Sequence, residues 1–312
     1  MTDKNSMKHI HNCFWSLELD FAAKVRYRMR YDRNPLYITL TDKYKVREYA
    51  GSKAVKTANL LFETDHTEAI PFADLPSNYF IKMNHGSGWN ILGYNSGLYL
   101  FRDGSELVNP DGSYLNMKSA NKYKLTKDQA KKLCYRWLDR RYSKKEWAYQ
   151  HIRPRIIVEE LLSSNHPKDL KDYRLYTFNG EVKAILVDSP LYRRNRENVF
   201  FDPDWNEFKL TKYDEKPPHP LPEKPGSFDE MIEVAQRLGK DIDFARIDLY
   251  DTTQGVVLGE MTVYPDGGFA NTPTSCPVFN RWLGDQWKLR LDRFDAVNTF
   301  LWHSMSAMVE AI

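Results

Sequence analysis

The residues with the most chemistry in this 312-residue chain lie in one stretch, DFARIDLYDTTQGVVLGEMTVYPDGGF (243–269). Two strand patterns flank a short loop containing Gly255, the arrangement of a β-hairpin. With Tyr250 opposite Val256, Asp248 faces Leu258 and Arg246 faces Glu260. Alternation then puts Arg246, Asp248, Glu260 and Thr262 on one side, and Ala245, Ile247, Leu249, Val257, Gly259 and Met261 on the other. The second set is core. The first gathers two carboxylates and a guanidinium, and carboxylates that share a small volume repel unless a cation joins them. Hard oxygen ligands without Cys or His favour magnesium, which takes one or two carboxylates and completes its shell with phosphate oxygens and water. The competing reading is a solvated hairpin face with an Arg246–Glu260 ion pair.

A second candidate is KMNHGSGWN, where Lys82 ends the strand pattern NYFIKMN (78–84) before a glycine-rich turn of Asn84, His85, Gly86, Ser87 and Gly88. An ammonium beside exposed backbone N–H groups cradles phosphate oxygens. The stretch is not a Walker loop, because no Lys-Ser/Thr follows the glycines. Nor is it a dinucleotide fingerprint, because Ile91 stands where the third glycine belongs. By composition it serves equally as an ordinary turn. His85 either meets a terminal phosphate or shapes the turn, and Asn84 and Ser87 carry the same two readings.

These groups need elements to hold them. TKDQAKKLCYRWLDRRY (126–142) opens with Thr126 and Gln129 as a capping box and sets Ala130, Leu133, Cys134, Trp137 and Leu138 on one helical face. Strand patterns follow at 155–162, 173–178 and 182–188, the last two joined by Asn179-Gly180 as a type I′ turn. KPPHPLPEKPG (216–226) is an irregular connector. Ser227 and Glu230 predict a second capping box for a helix over 227–239, with Phe228, Met231, Ile232, Ala235 and Leu238 as its stripe and Gly239 as its stop. Residues 1–75 read as mostly helical, with a helix in TDKYKVREY capped by Thr41 or Asp42.

Composition sets the wider bounds. Hydrophobic residues at 42% and charged residues at 28% suit a globular chain with a large core. A net charge of +3 is too balanced to indicate nucleic acid or a membrane surface. Cys13, Cys134 and Cys276 are far apart and suit reduced thiols. With no apolar leader and no run of about 20 apolar residues, the expectation is a cytoplasmic protein without a transmembrane segment.

Other features have ordinary readings. His9, His11 and Cys13 do not supply a closed metal site. Arg193, Arg194 and Arg196 suit a solvated loop more than an acidic glycan. Trp282, Trp287 and Trp302 suit packing more than sugar stacking. Cys276 has no base nearby, and the DPD at 202–204 lies in a hairpin-like segment.

Taken in order, DKYKVREY, FIKMNHGSGWN, RIIVEELL, DYRLYTFNG, FFDPDWNEF, FARIDLY and GEMTVYPDGGF resemble the ATP-grasp superfamily. Within it they resemble the TupA-like branch associated with polysaccharide and teichuronopeptide biosynthesis, over about residues 37–270. The resemblance implies an α+β fold in which two subdomains sandwich ATP. The corresponding division is a short helical N-terminal lobe (1–75), ATP-grasp subdomains at 76–150 and 151–270, and a C-terminal helical extension (271–312). It implies that Lys43 and Lys82 hold phosphates, that Asn84 to Gly88 close over them, and that Glu159, Glu160 and Leu162 form the adenine hinge. Asp172 would reach the ribose, Asp248 and Glu260 would ligate magnesium, and Arg246 would neutralise the transferred phosphoryl group. Thr262 stands where related ligases place Asn, so a second magnesium would meet a hydroxyl there.

The implied reaction is attack of a carboxylate on the γ-phosphate of ATP, then of an amine on the acyl phosphate. The implied partners are a small-molecule or glycan-linked carboxylate, such as a uronic acid, and an amino acid. A kinase, a glycosyltransferase and a nucleotide-binding module without turnover are the competing readings.

Overall fold

The computed structural model describes residues 19–101, 107, 115, 117–164, 170–188, 199–210, 221–269 and 276–289. His9, His11, Cys13, Arg193, Arg194, Arg196, Trp302 and the first half of the Pro-rich connector lie outside the described residues.

Twelve strands form two sheets of six among the described residues. The first runs β2 (Leu60–Thr64), β7 (Ile156–Glu160), β3 (Tyr79–Met83), β4 (Asn90–Tyr94), β5 (Gly97–Phe101), β6 (Lys124–Leu125). The second runs β1 (Lys56–Thr57), β12 (Gly255–Thr262), β11 (Ala245–Thr252), β8 (Asp172–Phe178), β9 (Glu181–Asp188), β10 (Val199–Phe201). Chain order and sheet membership do not coincide: β7 completes the first sheet from beyond residue 150, and β1 joins the second from within the first 75 residues.

Local chemistry explains most boundaries. Asn179 at φ 49° and Gly180 at φ 83° adopt the two left-handed conformations that a type I′ turn demands, so β8 and β9 pair as the sequence indicates. Helix α5 (Lys127–Leu138, fifth of seven among the described residues) starts at the expected box, with Gln129 N donating to Thr126 Oγ1 at 3.1 Å and Thr126 N donating to Gln129 Oε1 at 2.8 Å. It buries Ala130, Cys134 and Trp137 against Ile81, Met83, Ile156 and Val158 of the first sheet. Helix α6 (Phe228–Gly239) buries Phe228, Met231, Ala235 and Leu238 under the second sheet. Its expected capping box does not form: Ser227 makes no capping bond, because its ψ of 9° departs from the extended conformation that aims an N-cap hydroxyl at the first turn.

The N-terminal helices α1 (Phe21–Tyr31), α2 (Leu36–Thr41) and α3 (Val46–Ser52) are part of the second sheet's core. Phe21, Val25, Tyr37, Leu40 and Val46 share one cluster with Leu175, Ile247 and Met261. Asp42 caps the turn before α3, accepting from Tyr44 N at 2.9 Å and Lys45 N at 3.3 Å, while Thr41 ends α2. The short helix α4 (Met117–Tyr123) flanks β5.

The last described helix, α7 (Pro277–Gln286), is fastened to α1. Lys24 Nζ donates to the carbonyls of Gly284 and Trp287 at 2.9 and 2.7 Å. Trp287 is core, not a sugar platform: it donates to Asp243 at 3.0 Å, and the Arg28 guanidinium lies 4.3 Å from its ring centroid. Trp282 packs on Phe208 and Phe279, and Cys276 is a buried free thiol. Asp202 holds its own turn by accepting from Asp204 N and Asn206 N, as an ordinary Asx turn does.

Candidate functional site

The hairpin β11–β12 carries the expected residues in a shifted register. Asp248 pairs opposite Glu260 and Arg246 opposite Thr262, because a bulge between Asp248 and Leu249 leaves Gly259 without a partner. The bulge also corrects the face of Gly259, which lines the cavity and has the Tyr250 ring laid over it. A Cβ on Gly259 would stand 2.4 Å from that ring. One extra residue re-aims the strand beyond it, the usual consequence of a bulge.

Between the sheets lies a cavity of about 590 Å³ whose lining includes Lys43, Lys82, Ser87, Gly88, Glu160, Leu162, Asp172, Arg246, Asp248, Glu260 and Thr262. The cations and carboxylates are interlocked. Arg246 grips Asp248 through Nε at 2.8 Å and Nη2 at 2.7 Å, and the same Nη2 donates to Thr262 Oγ1 at 3.3 Å. Lys43 Nζ donates to Glu260 at 2.6 Å and to the Gly86 carbonyl at 2.9 Å, tying the glycine-rich turn to β12. Burial would raise the Glu260 carboxyl, but Lys43, Arg246 and Arg174 outweigh it and hold the group below its ordinary range.

Three expected phosphate-loop residues are structural here. Asn84 is fully buried: it donates to Asp42 Oδ1 at 2.9 Å and to the Arg153 carbonyl at 3.0 Å, and its carbonyl accepts from Lys43 N at 3.0 Å. It therefore fixes the backbone that presents Lys43. His85 is held between Asn84 Oδ1 at 3.2 Å and the Trp137 carbonyl at 3.1 Å, and burial lowers its pKa. Gly86 has no room for a side chain, because a Cβ would stand 2.5 Å from the Trp89 ring. None of the three lines the cavity, whereas Ser87 and Gly88 do, Gly88 at φ 72°.

In the expected hinge, the Glu159 carboxylate holds Lys82 at 2.7 Å and Arg47 at 2.6 Å. Glu160 N is committed to the Asn59 carbonyl at 3.0 Å and its carboxylate to Asn59 as well. Beyond the end of β7, Leu161 and Leu162 line the cavity.

Alternation along DYRLYTF puts Arg174 beside Asp172, a signal the sequence reading left unused. Arg174 donates to Asp172 at 2.9 Å and Asp188 at 2.5 Å, with Asp248 at 3.9 Å. Burial pushes Asp172 up to about 6 despite Arg174. Its Oδ1 is buried with no hydrogen-bond partner among the described residues. Such an acceptor fits a hydroxyl donor arriving from a ligand. Glu146, Tyr149 and Asp266 also line the cavity, and no periodic pattern in SKKEWAY marked the first two.

The donor set fits one magnesium. Asp248 and Glu260 are hard oxygen donors on directly opposed positions, and Glu260 is kept ionised. The Thr262 hydroxyl is engaged by Arg246 instead.

Among solved structures the chain is similar to the ATP-grasp ligase PsnB complexed with a phosphomimetic variant of a minimal precursor, Mg and ADP, with 12% identity over 81% of this chain and 61% of that one (TM-score 0.39). It is similar to D-alanine-D-alanine ligase from Helicobacter pylori, with 14% identity over 83% and 64% (TM-score 0.43). It is also similar to the Bacillus anthracis D-alanine-D-alanine ligase complexed with ATP, with 12% identity over 80% and 63% (TM-score 0.42). The chain spans less than two thirds of the length of each. No curated protein matches it. The family model described as TupA-like ATPgrasp matches residues 23–288, taking in most of α1 and all of α7 beyond the 37–270 of the motif resemblance. With most of its length matched, and with both sheets and the charged cavity inside the match, the chain belongs to the TupA-like ATP-grasp family.

Proposed function

We propose that the protein is an ATP- and magnesium-dependent carboxylate–amine ligase, joining an amino acid to a sugar carboxylate such as a uronic acid in surface polysaccharide synthesis. The observation that carries this reading is the convergence of Arg246, Asp248 and Glu260 from one hairpin with Lys43 and Lys82 from other elements on a single cavity. That is a set of positive donors around a carboxylate pair, which phosphoryl transfer requires and a structural ion-pair network does not.

In this reading the base lies against Leu161 and Leu162 with Tyr250 and Phe80 beside it, and Asp172 accepts from a ribose hydroxyl. Lys82 and Lys43 hold the phosphates under Ser87 and Gly88. Asp248 and Glu260 would hold magnesium, which when bound would shield the attacking carboxylate from the phosphate charge. Arg246, always charged and multi-donor, neutralises the phosphoryl group in flight. The glycine-rich turn, fixed by Asn84 and His85, excludes water from the acyl phosphate. Asp202 and Asp204 of the DPD sequence are not among the cavity residues, which disfavours a glycosyltransferase. No described helix is long and apolar enough to cross a membrane.

The test is phosphate release and amide formation, followed by mass spectrometry, on wild type and Glu260→Gln with ATP, magnesium and paired uronic and amino acids. Release that needs both co-substrates and is lost in the variant is expected. Phosphate transfer to a hydroxyl without any amine points to a kinase, and absence of ATP binding removes the assignment.

A further inference from the structure

One end of the cavity is not used by the nucleotide roles above. There the segment after α5 brings Tyr142, Glu146 and Tyr149 against the 3-10 turn Pro265–Gly268 that follows β12. Asp266 and Gly267 both take left-handed backbone, at φ 53° and 59°. Glu146 Oε1 stands 3.9 Å from where a Cβ on Gly267 would lie, and both Glu146 and Asp266 line the cavity. Two of the cations nearby are already committed, Lys43 to Glu260 and Arg246 to Asp248, while Lys145 lies over Phe269. Neither Glu146 nor Asp266 has an ion pair among the described residues.

Other observations on the same wall also call for a ligand. The Tyr264 side chain is 2% exposed, and its hydroxyl is buried with only the Ala148 backbone beside it among the described residues. The Tyr142 and Tyr149 rings meet at a tilt of 50° with centroids 4.8 Å apart. Phe269 is 59% exposed, and the Lys145 ammonium lies 5.7 Å from its centroid, so this ring already attracts a cation. Burial pushes Glu146 up to about 7, with the Ser143 hydrogen bond opposing and the Glu260 charge adding. Burial also raises Asp266, against Arg246. Carboxylates in that condition gain from a bound cation.

We propose that this recess is the subsite of the amine co-substrate and receives it as an ammonium. Glu146 and Asp266 bind the charge, and Tyr142 and Phe269 flank it. Glu146 then takes one proton. The freed lone pair attacks the carbonyl carbon of the acyl phosphate, the C–N bond forms, and the C–O bond breaks with its electron pair on the leaving phosphate, which takes the second N–H proton. The inference rests on the ligase reading and adds to it the charge state of the nucleophile.

The test compares a cationic and an uncharged nucleophile on the full chain. ATP, magnesium and a panel of uronic and amino-acid carboxylates are supplied with ethanolamine, an ammonium at neutral pH, or with hydroxylamine, which is neutral there and traps acyl phosphates as hydroxamates. In Glu146→Gln and Asp266→Asn the ratio of kcat/KM for ethanolamine to that for hydroxylamine should fall at least tenfold. Asp266→Asn should act mainly through KM, and Glu146→Gln also through kcat. A ratio within twofold of wild type in both variants overturns the inference while leaving the ligase intact. Wild type that makes no hydroxamate from any carboxylate removes the ligase reading, and the inference with it.

Discussion

Replacing Arg174 with Met should destabilise the protein in a way that depends steeply on pH. Arg174, its side chain 21% exposed, bridges buried Asp172 at 2.9 Å and Asp188 at 2.5 Å, and these two aspartates face each other across β8 and β9. Breaking a buried pair by removing one partner costs about 3–5 kcal/mol, because the other charge is left uncompensated. The aspartates can escape that cost by taking up a proton. Asp172 already sits at about 6 against an ordinary 3.8, driven by burial and opposed by Arg174. A carboxyl raised in the folded state binds protons that the unfolded chain does not, so stability falls as pH rises through the window from about 4 to 6. Losing Arg174 extends that window upward.

At about 1.36 kcal/mol per pH unit, one further unit of displacement costs roughly 1.4 kcal/mol that is absent at pH 5 and present at pH 8. Two or more units approach the full pair penalty. Urea unfolding of wild type and Arg174→Met, without nucleotide, at pH 5 and pH 8 measures the difference directly. A loss near 1 kcal/mol at pH 5 and above 2.5 kcal/mol at pH 8 is expected from these terms. Equal losses at both values would refute the reasoning, because the cost would then be one of packing and not of stranded charge.

Lys43→Ala removes a charge-assisted bond to Glu260 and one to the Gly86 carbonyl. At about 1.5–3 kcal/mol for such bonds, magnesium-ATP turnover should fall roughly ten- to a hundredfold, read as phosphate release. His85→Ala opens a buried site and removes the ring's bonds to Asn84 Oδ1 and to the Trp137 and Arg140 carbonyls, for about 1–3 kcal/mol in thermal or urea unfolding. Wild type should also lose stability as pH falls below the ordinary histidine value of about 6.5, because burial holds the folded pKa lower, and the variant should lack that slope. Gly259→Val must displace the Tyr250 ring into the cavity, so nucleotide affinity by calorimetry should drop while the fold is kept. An unchanged Kd would remove Tyr250 and Gly259 from the base-binding end.

Sequence alone determined the elements whose cause is local. The Thr126 capping box, the left-handed Asn179-Gly180 turn and the alternation of Arg246, Asp248, Glu260 and Thr262 are short-range chemistry, and each reappears in the folded chain. Tertiary structure decided what depends on partners distant in the chain. The bulge at Gly259 shifted the register because the Tyr250 ring needed the space a side chain would fill. Asn84 and His85 became supports for the turn because buried backbone carbonyls and N–H groups around Asp42, Arg153 and Trp137 had to be satisfied. Glu159 turned to Lys82 because β3 and β7 are neighbours, although more than 70 residues separate them. Arg174 became the hub of three aspartates only when β8 took its place between β9 and β11. A carboxylate's duty is set by which cation lies within a few ångströms, and that distance is a property of the fold.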